Sequence, residues 1–377
     1  MASLLIDIRR AEDLRDVIHR AVQALAEGKL VAFPTETVYG LAASALHPDG
    51  VARLFEAKGR QNGHPLALGI KSADEALDYA PDMPPLAWRL ARRCWPGPVT
   101  LVVDAEHPES LVRRLPESVQ RHVVPSGTVG LRVPAHATIH DVMRMLTGPL
   151  ALTSANRSGE GDATTAQQVV DQLGEAVSLV LDDGPSRYGQ PSSVVRVDEK
   201  KFEILREGVV PRATLQRMSS FMLLLVCTGN TCRSPMAEVL AQKLIADRLG
   251  CSISELDQHG VVVMSAGLAA MAGGRPSPDA VHVMRDAGLR LEDHESQPLT
   301  DQLIRHADVI FTMTSAHRQA IVSHWPESAR RTWLLRRDGG DISDPIGGTQ
   351  DVYRQCAGQI QGELEARVVE LDLEGAS

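Results

Sequence analysis

Val226-Cys-Thr-Gly-Asn-Thr-Cys-Arg-Ser-Pro-Met-Ala-Glu238 continues the apolar run that begins at Phe221-Met-Leu-Leu-Leu. The run reads as a buried strand, and a helical pattern opens at Ser234-Pro235. Cys227 and Arg233 stand six residues apart on the turn between strand and helix. Successive backbone N–H groups in such a turn, together with the positive end of the following helix, cradle a phosphate ester. The same field favours the thiolate form of Cys227. Arg233 offers a planar fork for two phosphoryl oxygens, and Ser234 can hydrogen-bond the sulfur. This stretch opens the second part of the chain, so the residues before it must do something else.

The chain of 377 residues is long enough for two or three domains with separate cores. It is 43% hydrophobic and 23% charged but only 3% aromatic, so Leu, Val, Ile and Ala must fill those cores. No apolar run reaches the length of a bilayer span, and the N-terminus lacks the basic-then-apolar order of a signal peptide. The five cysteines (94, 227, 232, 251 and 356) show no framework spacing, which fits reduced thiols in a cytoplasmic protein. The net charge of −9 is uneven. Residues 1–219 hold 25 Lys+Arg against 27 Asp+Glu, and residues 220–377 hold 14 against 21. The first part is therefore the better candidate for an RNA partner.

Within that first part, residues 11–27 predict an amphipathic helix with Leu14, Ile18, Ala21 and Leu25 on one face and Gly28 as its stop. Leu30–Phe33 predicts a strand, and Pro34-Thr-Glu-Thr-Val-Tyr-Gly-Leu41 a hydroxyl-bearing turn at its end. Lys58-Gly-Arg60 suits a polyanion, although composition alone favours a solvated basic loop. Residues 104–128 show no clear pattern. Arg132 lies between apolar neighbours in a predicted strand and needs a partner or a ligand there. Further predicted strands lead to Thr153-Ser-Ala-Asn156 and to Ser192-Ser193, and periodicity permits an α/β fold with polar loops at one end of a sheet.

Six motifs stand in order: Pro34-Thr-Glu-Thr-Val-Tyr-Gly, Lys58-x-Arg60, Trp95-Pro-Gly-Pro-Val-Thr100, Leu131-Arg-Val-Pro134, Thr153-Ser-Ala-Asn156-x-Ser-Gly159 and Ser192-Ser-Val-Val195. Over about residues 10–212 this part resembles the YrdC-like family of threonylcarbamoyl-adenylate synthases, in its short form. The resemblance implies a twisted mixed-sheet α/β domain that makes threonylcarbamoyl-AMP and pyrophosphate from L-threonine, bicarbonate and ATP. Other tRNA-modification proteins would pass the threonylcarbamoyl group to tRNA. It further implies that Lys58, Arg60, Ser154, Asn156 and Arg206 bind ATP, and that Thr35, Arg132 and Ser192 hold threonine. Mg²⁺ would arrive on the ATP phosphates, and no protein-held metal is expected. The family's usual Ser-Thr reads Ser192-Ser193 here, which touches the detailed threonine contact.

Residues 213–221, with Pro211 just before them and a Ser-Ser pair, are expected as a linker between domains at 1–212 and 222–377. Beyond it strands and helices alternate, which predicts a small doubly wound parallel sheet. Asp344-Pro345 is most often only a turn, but a thiolate phosphatase needs an acid for its leaving group, and Asp344 is the candidate. Cys227-x5-Arg233-Ser234, Ser265-Ala-Gly267, Asp308-x-Ile-x-x-Met313 and Asp344-Pro345 stand in the order of the low-molecular-weight protein tyrosine phosphatases. That resemblance implies a cofactor-free enzyme acting on phosphorylated proteins. In it Cys227 is the nucleophile, Arg233 binds the phosphoryl group, Asn230 shapes the loop, Ser234 supports the thiolate and Asp344 is the acid and base. Thr231, in place of a usual Ile, resembles the bacterial branch that acts on phosphoarginine. Cys232 reads either as packing or as the redox partner of Cys227.

Rival readings are a phosphotyrosine phosphatase and an arsenate reductase for the second part, and a double-stranded RNA-binding module for the first. The reductase needs relay cysteines, and none stands between Cys251 and Cys356.

Overall fold

The computed structural model describes residues 3–59 and 65–373. The chain divides into two compact units, Met1–Met218 and Ser219–Ser377. Among the described residues no helix is long and apolar enough to cross a membrane.

The first unit carries strands β1 (Leu4–Asp7), β2 (Val31–Phe33), β3 (Gly40–Ser44), β4 (Ala67–Gly69), β5 (Val99–Asp104), β6 (Thr128–Arg132), β7 (Leu150–Ser154), β8 (Leu179–Asp182), β9 (Ser193–Val197) and β10 (Phe202–Arg206). They form one sheet in the order β1-β8-β2-β3-β7-β4-β6-β5-β9-β10. The sheet is mixed, as expected: β5 runs parallel to β9 and antiparallel to β6. Alternation along the strands separates two cores. Val31 and Phe33 pack with Ile18, Ala21 and Leu25 on one face, while Ala32 packs with Leu54, Leu90 and Val169 on the other.

The predicted first helix is Leu14–Ala26, capped by Asp13, whose carboxylate accepts the Arg15 N–H at 2.8 Å. Gly28 follows at φ +70, a value glycine adopts without steric cost. Val17 takes the inward place expected for Leu14, which is exposed. Three segments differ from the sequence reading. Gly40–Ser44, at the end of the predicted turn, is the interior strand β3; its small residues leave no alternation to read. Within the patternless 104–128, Glu117–Val123 is a helix with Val119 and Val123 buried. The expected linker is also corrected. Arg212–Ser219 is helical, Leu215 is buried in the first unit's core, and β11 begins at Phe221. Leu215, with Met218 packed against the same core, suffices to hold that short helix.

The second unit holds β11 (Phe221–Cys227), β12 (Val261–Gly267), β13 (Val309–Thr312) and β14 (Thr332–Leu334), in the order β12-β11-β13-β14 with every pairing parallel. All seven residues of β11 are buried. Phe221, Leu223 and Leu225 pack with Met236, Leu240, Ile360 and Leu364, whereas Met222, Leu224 and Val226 pack with Ile304 and Ile321. A strand covered on both faces reads as an unbroken apolar run, which is why it was visible in the sequence. The neighbours of β11 lie on opposite sides, so its C-terminal end opens the crevice where ligands of such sheets bind. Cys227 is the last residue of β11. Leu225→Ala should therefore cost about 2–5 kcal/mol. A fall in the urea midpoint of the second unit's unfolding transition would show it, and an unchanged midpoint would contradict the packing described.

Candidate functional site

In the first unit a cavity of about 160 Å³ is lined by Thr35, Arg132, Ser154, Ser192 and Arg206, among others. These side chains come from the turn after β2 and from the ends of β6, β7 and β10, with Ser192 just before β9. Lys58 ends the helix Pro48–Lys58 and is 2% exposed. Its ammonium donates to Ser154 O at 2.7 Å and to Asn156 Oδ1 at 2.9 Å. A buried ammonium is tolerated only with such acceptors. Lys58, Ser154 and Asn156 thus meet as one group, and Ser154 Oγ donates to Asn156 Oδ1 at 2.5 Å. Arg60 lies outside the described residues.

Arg132 has a protein partner. Its Nη2 donates to Glu36 Oε1 and to Thr37 Oγ1, both at 2.8 Å, and Nε reaches Gly97 O at 3.4 Å. Glu36 also accepts the Ala135 backbone N–H at 2.9 Å, so its carboxylate is held at both oxygens. The guanidinium keeps Nη1 without a partner among the described residues. Arg206 donates to Ser192 O at 2.8 Å and to Ser192 Oγ at 3.1 Å, and Thr100 Oγ1 lies 3.1 Å from the same hydroxyl. Ser193 is fully buried and does not line the cavity. Its hydroxyl donates to Val210 O at 2.8 Å and accepts Val210 N–H at 3.0 Å. The serine that replaces the family's threonine is thus spent on backbone.

Sequence reading missed Glu36 and Thr100 as parts of this site. Glu36 stood in a quoted motif, but nothing in its spacing points to a residue 96 positions away. Glu36→Ala leaves the Arg132 charge buried without its carboxylate, which should cost about 3–5 kcal/mol. Thermal melting of the variant tests this, and a melt unchanged from the parent would refute the pairing.

In the second unit Cys227 is 3% exposed. Its sulfur receives the Asn230 N–H at 3.2 Å and lies 2.9 Å from Ser234 Oγ. Asn230 is the one described non-glycine residue at positive φ, +56, a conformation asparagine tolerates better than most. The bend turns the Asn230 amide onto the sulfur, and the helix Arg233–Leu249 begins directly after Cys232. Arg233 is buried, donates to Ile342 O at 3.3 Å, and meets Asp344 Oδ2 at 2.5 Å. Asp344 is partly open to solvent, with 44% of its side chain exposed. Cys227, Asn230 and Ser234 are therefore bonded to one another, and the arginine of the same loop is paired to the acid across 111 positions of sequence.

Thr231 is partly exposed, and its carbonyl accepts the Ser277 N–H at 2.8 Å. Cys232 is buried, 3.5 Å from the hydroxyl of Tyr353. Burial, with the Cys232 thiol beside it, pushes that phenol up to about 12. A neighbour the sequence did not flag is His317, whose Nε2 lies 2.9 Å from Thr228 Oγ1. Burial first, then the Arg233 charge, lowers its affinity for a proton, so it stands neutral beside the loop at neutral pH. Among the described residues no cluster of three or more His, Cys, Asp or Glu is placed to hold a metal ion.

Comparison with known proteins follows the same division. A Sua5/YciO/YrdC family model, described as "Telomere recombination", matches residues 23–208. A "Low molecular weight phosphotyrosine protein phosphatase" model matches residues 222–376. A threonylcarbamoyl-AMP synthase of Pyrococcus abyssi is 37% identical over 57% of this chain, which spans 61% of that relative's length. A putative threonylcarbamoyl-AMP synthase of Mycobacterium leprae is 39% identical over 52% of this chain and 86% of its own. A protein-arginine-phosphatase of Bacillus subtilis is 37% identical over 37% of this chain and 89% of its own. The crystal structure of P. abyssi Sua5 complexed with L-threonine is 25% identical with a TM-score of 0.52, covering 70% of this chain and 92% of that one. The chain belongs to the Sua5/YciO/YrdC family through residues 23–208 and to the low molecular weight phosphotyrosine protein phosphatase family through residues 222–376.

Proposed function

We propose that the protein is bifunctional and cytoplasmic. Its first unit condenses L-threonine, bicarbonate and ATP into threonylcarbamoyl-AMP, pyrophosphate and water. The observation that carries this reading is the gathering of Thr35, Arg132, Ser154, Ser192 and Arg206 around one cavity with Lys58 bonded to Ser154. Nη1 of Arg132 is left for the threonine carboxylate, and the Thr35 and Ser192 hydroxyls, which now bond Val38 O and Arg206, line the cavity where its amine and side chain would sit. The amine attacks bicarbonate and loses water to give the carbamate. A carbamate oxygen then attacks the α-phosphorus of ATP, and the bond to pyrophosphate breaks. Lys58, Arg60 and Arg206 offset the charge of the triphosphate, which enters as its Mg²⁺ complex, while Ser154 and Asn156 contact the nucleotide. The product is a reactive mixed anhydride, to be consumed by tRNA-modification proteins acting on tRNA.

The second unit hydrolyses phosphoarginine in proteins. The sulfur of Cys227 attacks phosphorus, the P–N bond breaks, and Asp344 protonates the leaving guanidine. Water then attacks the cysteinyl-phosphate and gives its proton to Asp344, and the S–P bond breaks to release phosphate. A phosphoryl oxygen would take the Arg233 Nη2–H now given to Asp344, which frees the acid. The substrate class rests on three observations. The B. subtilis relative is a protein-arginine-phosphatase, Thr231 stands in the loop, and Asp344-Pro-Ile-Gly-Gly348 holds no aromatic residue to line a phosphotyrosine slot.

Lys58→Ala should lower threonine- and bicarbonate-dependent pyrophosphate release by roughly 100-fold or more and leave phosphatase activity intact. Cys227→Ser should do the reverse, and loss of both activities from either change would contradict independent sites. Thr231→Ile should shift the ratio of kcat/KM for phosphoarginine over phosphotyrosine peptides by about tenfold toward phosphotyrosine. An unchanged ratio would sink the phosphoarginine assignment.

A further inference from the structure

Asn230 is held by more than its loop. Its Oδ1 accepts the Gln297 backbone N–H at 2.9 Å. A backbone amide can only donate, so the carboxamide has one orientation. Nδ2 then gives one hydrogen to Ser234 Oγ at 3.0 Å and the other to Ser265 Oγ at 2.8 Å. Each serine keeps a single proton to place. Ser265 gives its proton to Glu238 Oε2 at 2.5 Å, and Ser234 has the Cys227 sulfur at 2.9 Å. Asn230, Ser234 and Ser265 are all fully buried, so water does not substitute for any of these partners.

Glu238 lies one turn beyond Ser234 on the helix Arg233–Leu249. The polar groups facing it are Ser265 from β12, Gln242 from its own helix at 3.5 Å, and His294 with Nδ1 at 3.8 Å. His294 Nε2 lies 3.0 Å from the Asn230 carbonyl, which can only accept, so that nitrogen carries the proton. Burial pushes the Glu238 carboxyl up to about 7, yet ionised or protonated it still presents an oxygen to the Ser265 hydroxyl. The direction of the chain therefore survives its titration.

We propose that Glu238 is a positioning residue for Cys227: as the terminal acceptor of the Ser265–Asn230–Ser234 chain, it aims the Ser234 proton at the sulfur. The proposal rests on the reading of Cys227 as the nucleophile. Without Glu238 the buried Ser265 proton has no acceptor, Ser265 turns away from Asn230, and the amide that holds Ser234 loses one of its two ties. The thiolate then loses a directed donor.

The test is the rate of iodoacetamide alkylation of Cys227 across pH, followed by mass spectrometry in the full-length chain, together with p-nitrophenyl phosphate kinetics. In Glu238→Ala and Ser265→Ala the alkylation midpoint should rise by about one pH unit. kcat should fall about tenfold, with KM changed by less than about twofold. Glu238→Gln, whose amide oxygen still accepts, should recover most of the alkylation shift. Wild-type and Glu238→Ala curves that superimpose, whether or not the variant melts earlier, overturn the proposal. So does a Gln variant shifted as far as the Ala variant. If Glu238→Ala does not fold, Ser265→Ala decides by the same criterion. Cys227→Ser separates the two ideas: p-nitrophenyl phosphate hydrolysis retained in that variant removes the nucleophile reading, while the alkylation curves still report on the chain.

Discussion

Lys58, Arg132 and Arg233, the cations of the two sites, sit almost out of solvent, and each is held by oxygens from far along the chain. Lys58 reaches Asn156, Arg132 reaches Glu36 and Arg233 reaches Asp344, across 98, 96 and 111 positions. An unpaired charge at such depth costs more than most of a domain's net stability, so these pairings close only with the whole fold around them. The same demand makes the sites. A buried cation with an acceptor on one side and a cavity on the other is prepared for an anion, because the cost of its desolvation was met during folding.

The two units meet this demand differently. In the first, Arg132 and Arg206 stand at the ends of strands in a wide mixed sheet and Lys58 at the end of a helix, and the side chains around the cavity are gathered from five separate segments. In the second, Cys227, Asn230, Arg233 and Ser234 lie within eight consecutive residues, and the sheet needs only to place that loop at the end of β11 and bring Asp344 beside it. A local constellation of this kind is legible from spacing. A dispersed one is legible only through a resemblance carried by several ordered motifs.

The errors of sequence reading follow the same line. β3 was hidden because Gly40–Ser44 is too small-chained to show a period, and the helix Arg212–Ser219 because only Leu215 and Met218 tie it to the core. Ser193 reads in the sequence only as the replacement of a family threonine, and its hydroxyl closes on the backbone of Val210. These are tertiary overrides: what a residue touches there depends on which distant segment folds against it.

By itself the sequence determined the local chemistry. Its apolar run, its turn and its helix start place a thiol, an arginine and a hydroxyl in one loop, since eight residues cannot separate far. It also determined that both parts are α/β, because the alternation of patterns leaves few other assemblies. Only the tertiary structure decided the partners. It paired Arg132 with Glu36 and Arg233 with Asp344, and it linked Ser234 through Asn230 and Ser265 to Glu238. Hydrogen bonds act over about three ångströms, and distance in sequence carries no information at that scale.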